Sequence, residues 1–168
     1  ATDAAGAVDT QSFTITVNNV NDTPTITSTA ITSINEDSAY SYTFVANDVD
    51  SGDTLTLSAP TKPSWLSFNA NSGVLSGTPN NSHVGTHNVV LKATDAAGAV
   101  DTQSFTITVN NVNDTPTITS TAITSINEDS AYSYTFAATD VDSGDTLTLS
   151  APTKPSWLSF NANTGVLS

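Results

Sequence analysis

Tyr40-Ser41-Tyr42-Thr43-Phe44-Val45-Ala46 sets Tyr40, Tyr42, Phe44 and Ala46 at a period of two, with Ser41, Thr43 and Val45 between them. That alternation puts one face of an extended chain on a core and the other in water. The same rhythm runs outward along the chain. Phe13, Ile15 and Val17 alternate with Ser12, Thr14 and Thr16. Leu55 and Leu57 alternate with Thr54, Thr56 and Ser58, and Val89, Leu91 and Ala93 with Val90, Lys92 and Thr94. Threonine, valine, isoleucine and aromatics fill these runs, as pleated strands favour. No stretch carries a helical period. Turn signals separate the runs at Asp48–Asp53, Pro60–Pro63, Asn69–Gly73, Gly77–Gly85 and Asp95–Gly98. Short strands at this spacing predict an all-β sandwich. Trp65 and Phe68, just after Pro63, are expected to plug its core.

The pattern also copies itself. Ala1-Thr2-Asp3-Ala4-Ala5-Gly6 returns as Ala93-Thr94-Asp95-Ala96-Ala97-Gly98, a period of 92 residues, and the match runs to Ser168. Only three pairs differ: Val45 and Ala137, Asn47 and Thr139, Ser72 and Thr164. A self-copy of domain length is the mark of a tandem array, and 92 residues bury a core without staples. Val17-Asn18-Asn19-Val20-Asn21-Asp22-Thr23-Pro24 reads as the linker, because polar residues follow a strand and Pro24 stops its continuation. Val109 to Pro116 is its copy. Cutting there divides the chain into 1–22, the last strands of a preceding repeat; 23–114, a complete domain; and 115–168, the first part of a following repeat. Neither end fragment is expected to fold alone, and even pooled they lack the counterpart of Gly77–Lys92.

Three lysines, no arginine and sixteen acids give a net charge of −13. Phosphate neutralisation needs clustered basic residues, so nucleic acid is excluded as a partner, and anionic membrane surfaces are disfavoured. Cysteine is absent, which removes disulfides, thiolate metal sites and catalytic thiols. No apolar run is long enough to span a bilayer, so membrane insertion is not expected.

An acidic surface attracts cations, and the acids have a pattern. Asp48 and Asp50 are two apart at a strand end, so an extended chain points both the same way; Asp53 shares their loop, and Asn21 and Asp22 bring linker oxygens. Calcium takes six to eight hard oxygen ligands, which carboxylates and amides supply. An ordinary Asp/Gly turn is the plainer account of Asp48–Asp53.

Pro63-Ser64-Trp65-Leu66-Ser67-Phe68, Gly73-Val74-Leu75-Ser76-Gly77-Thr78-Pro79, Val84-Gly85 and Ala93-Thr94-Asp95 with Gly98 together resemble the dystroglycan-type cadherin-like domain, also described as a bacterial immunoglobulin-like domain. The resemblance covers the whole repeat. It implies tandem seven-stranded Greek-key β-sandwiches in large bacterial surface adhesins, located extracellularly at the cell surface, with calcium (Ca2+) at the junctions between domains. Asn19, Asn21 and Asp22 match the family's linker motif, Asp48 and Asp50 its Asp-x-Asp pair, Asp95 a later acid of the same cluster, and Glu36 the early glutamate given to the far junction. The copies are Asn111, Asn113, Asp114, Asp140, Asp142 and Glu128. Asn19 and Asn111 stand where the family has an acid, and Gly77-Thr78-Pro79-Asn80-Asn81 stands where it has Leu-Asp-Arg-Glu. With those carboxylates gone, one or two ions per junction are expected rather than three.

The resulting expectation is a non-enzymatic extender, its partners being the neighbouring repeats of the same chain and, beyond them, other copies of itself or polysaccharide. No nucleophile motif or phosphate loop is present. His83 and His87 have a zinc-like His-x-x-x-His spacing, but in a loop and strand start rather than on a helix. The alternative is a calcium-dependent polysaccharide-binding module, with Trp65, Tyr40 and Tyr42 stacking on sugar rings if exposed. A surface-binding threonine face is a third reading, but no regular threonine grid is visible.

Overall fold

The computed structural model describes residues 1–168. The alternating runs become strands that bury alternate side chains. In chain order they are β1 (Thr25–Ile26), β2 (Ser33–Asn35), β3 (Tyr40–Thr43), β4 (Ala46–Asn47), β5 (Thr56–Thr61), β6 (Leu66–Asn69), β7 (Val74–Gly77), β8 (Gly85–Thr94) and β9 (Val100–Asn110). A single 3₁₀ turn, Asn81–His83, interrupts them. One sheet has the order β2-β9-β8-β5, the other β3-β7-β6, with β1 and β4 paired at the margin. Taking β1 with β2 and β3 with β4 as interrupted single strands gives the seven expected. The β2–β9 pair is parallel, Ile34 opposite Val109, and the other pairs are antiparallel. Strand β5 carries a register shift between Ser58 and Thr61, where Pro60 withdraws a ladder donor.

The core lies between the two sheets. Strand β3 and Phe44 after it contribute Tyr40, Tyr42 and Phe44; β8 contributes Val89, Leu91 and Ala93; Leu66, Leu75 and Ile107 complete it. Buried hydroxyls need partners. Tyr40 donates to the carbonyl of Ile31 at 2.8 Å, and Tyr42 to Oε1 of Gln103 at 2.7 Å. Burial, helped by the neighbouring Tyr42, pushes the Tyr40 phenol up to about 12. Trp65 and Phe68 pack against this core, Trp65 edge-on to Tyr40 and Phe68 to Phe44. Gly77 is required in β7, because a Cβ there would stand 2.1 Å from the Trp65 carbonyl oxygen.

Identical sequence takes different structure at the two ends. Phe105, Ile107 and Val109 are in β9, while their copies Phe13, Ile15 and Val17 form no strand and are 75%, 75% and 90% exposed. In β9 those residues are held by pairing along β8, and residues 1–22 find no such partner strand among residues 1–168. Residues 115–168 form β10 (Thr117–Ile118), β11 (Tyr134–Thr135), β12 (Ala138–Thr139), β13 (Phe160–Asn161) and β14 (Val166–Leu167). Their sheets reproduce β1-β4 and β3-β7-β6 as β10-β12 and β11-β14-β13. Residues 115–168 themselves form no counterpart of the β2-β9-β8-β5 sheet, and Trp157, the copy of half-buried Trp65, is 64% exposed. All three pairs that differ between the copies lie at exposed positions, none of them among the core residues.

Candidate cation sites at the junctions

The hairpin between β8 and β9 turns on Asp95. Its backbone N–H donates to the Ala99 carbonyl at 3.1 Å, and its side chain accepts the Ala99 N–H at 2.7 Å. Gly98 supplies the positive φ of 95° that the turn needs. The second oxygen of Asp95 accepts the Asn21 amide at 2.8 Å. That bond and the Ala99, Gly98 and Ala97 N–H groups hold the Asp95 carboxyl below its ordinary range, against the upward push of burial. The loop after β4 is held by its own acids. Asp50 N–H donates to Asp48 at 2.9 Å, and Asp53 N–H to the Asp50 carbonyl at 3.2 Å. Asp50 then accepts the linker N–H of Asp22 at 2.7 Å.

These bonds gather carboxylates. One oxygen each of Asp48, Asp53 and Asp95 lie within 4.8 Å of one another. Asp48 Oδ2 and Asp53 Oδ2 are buried without a hydrogen-bond partner. Burial first, then the charges of Asp48, Asp50 and Asp95, push the Asp53 carboxyl upward.

The second junction shows the other half of the arrangement. Glu36 directly follows β2, and its backbone N–H donates to the Asn110 carbonyl at the end of β9. Its side chain is 2% exposed and accepts the Val112 N–H at 2.8 Å, while Oε2 is buried and unpartnered. Asp142 accepts the Asp114 N–H at 2.6 Å and is itself braced by Asp140, as in the first junction. Glu36, Asp114 and Asp142 bring oxygens within 4.8 Å of one another, as do Asp140, Asp142 and Asp145. Asp142 therefore belongs to both groups. Asn81, at the start of the 3₁₀ turn, donates to Asp114 Oδ2 at 2.8 Å and to Asp142 Oδ1 at 3.3 Å.

Of the residues singled out from sequence, Asp22, Asp48, Asp50, Asp95 and Asn21 meet at the first junction, and Glu36, Asp114, Asp140 and Asp142 at the second. Asn113 repeats the bond Asn21 makes to the next carbonyl, at 2.8 Å in both. Asn19 and Asn111 lie exposed in the linkers and outside the carboxylate groups. Glu128 is exposed and has no counterpart of the Val112 contact that covers Glu36. Asp53 and its copy Asp145, acids of the loops by sequence, join the clusters. Asn81 was not singled out, and the signal for it was a polar amide where the resemblance led one to look for an acid. The histidines have structural work: His83 Nδ1 accepts the Asn80 N–H at 3.1 Å, His87 Nε2 bonds the His83 carbonyl at 2.7 Å, and both rings flank Trp65.

A family profile described as "Putative Ig domain" matches residues 23–110 and again 115–168, the two matches meeting across the linker. The chain belongs to this family. Over 107 residues, 62% of this chain, it is 36% identical to the serine-rich adhesin for platelets of Staphylococcus aureus (strain MRSA252), and the match spans 8% of that protein. The chain thus covers a small part of the curated relatives it matches. Among solved structures, human CDH23 EC21-23 superposes with a TM-score of 0.55 at 21% identity, covering 90% of this chain and 55% of that one. Protocadherin Gamma B2 extracellular cadherin domains 3-6 give a TM-score of 0.49 at 20% identity, covering 90% and 45%. The CDH23 likeness supports the cadherin-like sandwich and nothing beyond the fold. No helix is long and apolar enough to cross a membrane.

Proposed function

We propose that this chain is a stretch of extender repeats from a large extracellular adhesin or surface fibre of a bacterium, stiffened by calcium at the junctions. On this reading residues 23–114 are one whole domain, 1–22 close the preceding repeat and 115–168 open the next. The observation that carries it is the convergence at one joint of carboxylates from both sides, Glu36 from one sandwich, Asp114 from the linker and Asp142 from the repeat beyond it. The donor set fits a hard dication: carboxylate oxygens gathered within 4.8 Å, with Glu36 Oε2, Asp48 Oδ2 and Asp53 Oδ2 buried and unpartnered. Buried charge without a partner is costly, and a bound cation would supply that partner.

Glu36, Asp114 and Asp142, with Asp140 and Asp145, would hold ions at the second junction; Asp48, Asp53 and Asp95, with Asp50 and Asn21, would do so at the first. A bound ion would supply charge neutralisation and a fixed geometry. Three chain segments that otherwise meet through single hydrogen bonds would then move as one, and a string of domains would behave as a rod. The match to an adhesin supports a surface role, and the Ig-like family supports a non-catalytic one. The polysaccharide reading has no observation in its favour: Tyr40 and Tyr42 are buried in the core, and Trp65 is half-buried against Tyr40 and the two histidines.

Small-angle scattering of the chain in calcium and in chelator tests the proposal. The maximum dimension is expected to be longer and better defined in calcium. Identical scattering in the two conditions would sink it.

A further inference from the structure

Asn81 is the one neutral side chain that touches two carboxylates of the Glu36·Asp114·Asp142 group. Its Nδ2 stands 2.8 Å from Asp114 Oδ2 and 3.3 Å from Asp142 Oδ1, so a residue of the first sandwich grips both the linker and the segment beyond it. The side chain is half-buried and is placed by the 3₁₀ turn, whose N-cap Asn80 accepts Ser82 N–H and whose His83 caps in return. An amide has two chemically opposite ends. Its terminal torsion is roughly two-fold, so half a turn exchanges N–H for carbonyl oxygen with little change in shape.

We infer that Asn81 is a reversible ligand of the junction, its N–H end clamping the two carboxylates and its carbonyl end coordinating a divalent cation held between them. This rests on the calcium reading of the junctions. A carbonyl oxygen at the present position of Nδ2 would face two carboxylate oxygens at about hydrogen-bond distance, which is repulsive unless a cation lies among them. The rotation is thus tied to the ion. Independent support that this pocket takes a ligand comes from Glu36, which is 2% exposed with Oε2 unpartnered in the same group. Because the amide is neutral, the cation need not displace a competing positive charge, and the joint keeps a tether in either state.

Calorimetric titration of calcium into the full chain, with thermal melting in chelator, tests the inference on wild type, Asn81→Ala and Asn81→Asp. Asn81→Ala is expected to weaken the affected class of sites about tenfold, the lower end for loss of a supporting group, and to lower the melting temperature in chelator. Asn81→Asp restores an oxygen and adds charge, so calcium binding recovers or exceeds wild type while melting in chelator falls below Asn81→Ala. That split between the two conditions is not produced by a merely structural asparagine. Asn81→Ala binding calcium as tightly as wild type, or more tightly, overturns the inference and leaves the calcium reading intact. A wild-type chain that takes up no calcium overturns both.

Discussion

Replacing Glu36 by Gln is expected to reverse the sign of its effect on stability between chelator and calcium. Glu36 lies within 4.8 Å of Asp114 and Asp142, with one oxygen accepting Val112 N–H and the other unpartnered. At an effective dielectric of about 20, two like charges about 5 Å apart repel by about 3 kcal/mol. Asp114 is half-buried and both aspartates accept Asn81, so solvent and that amide leave a net cost of about 1 kcal/mol. Glutamine has nearly the same shape and still accepts from Val112, yet carries no charge. In chelator, Glu36→Gln should therefore melt about 4–8 °C above wild type, the shift about 1 kcal/mol gives a unit of this size. In calcium at about ten to a hundred times Kd, each occupied site adds roughly 1.4–2.7 kcal/mol to wild type. Losing a carboxylate ligand weakens its site by one to two orders of magnitude, since ligand charge count sets affinity. The calcium-induced rise of the variant should fall by the share of the Glu36 group, leaving that of the Asp48·Asp53·Asp95 and Asp140·Asp142·Asp145 groups. Differential scanning calorimetry at pH 7 in both conditions measures it. A calcium shift equal to that of wild type refutes the placement of Glu36 on the ion, and a variant less stable than wild type in chelator refutes the repulsion.

Three further outcomes are expected. In chelator, stability should rise as pH falls from 7 toward the raised Asp53 value, because protonation relieves a carboxylate that folding disfavours; it should then drop below about 3.8, where Asp95, held low in the folded chain, loses what its ionised form contributes. A pH series of melts on wild type and Asp53→Asn checks this, and an unchanged rise in the variant counts against Asp53. Leu91→Ala, at a fully buried position of β8, should cost roughly 2–5 kcal/mol in urea unfolding, whereas Val45→Ala, a change the second copy already carries, should cost well under about 1 kcal/mol. Gly77→Ala should destabilise by about 1–3 kcal/mol or more through collision with the Trp65 carbonyl, and a neutral result would mean that β6 and β7 can separate freely.

What could be read from sequence was what neighbours along the chain decide. The Asp95 turn is local, and its copy at Asp3 forms the same way, with Asp3 accepting the N–H groups of Ala5 and Ala7 at 2.9 and 2.8 Å. The strand after the turn is not local. Phe105 to Val109 pair along β8, but the same letters at Phe13 to Val17 stay unpaired. Alternation in Tyr40, Tyr42 and Phe44 foretold their burial because it fixes which face is inward. The site divides in the same way. Asp48 and Asp50 were legible from their spacing, and Glu36 only through the resemblance. Asn81 is 33 residues from Asp114 and 61 from Asp142, so its role depends on how the 3₁₀ turn is docked. Nothing in its immediate neighbours signals that.

The parallel pairing of β2 with β9 bears on how the chain meets tension. Chain enters the sandwich ahead of β1 and leaves after Asn110, at the end where Glu36 meets the linker. Traction on the two ends draws β2 and β9 past each other along their length. Their bonds, among them Thr108 N–H to the Thr32 carbonyl and Glu36 N–H to the Asn110 carbonyl, must then yield together rather than one after another. Such shear loading resists rupture better than peeling, so each repeat is built to hold under a steady tug. Single-molecule stretching would register that as a high, sharp unfolding force, and a low one would mean that the load runs through other strands.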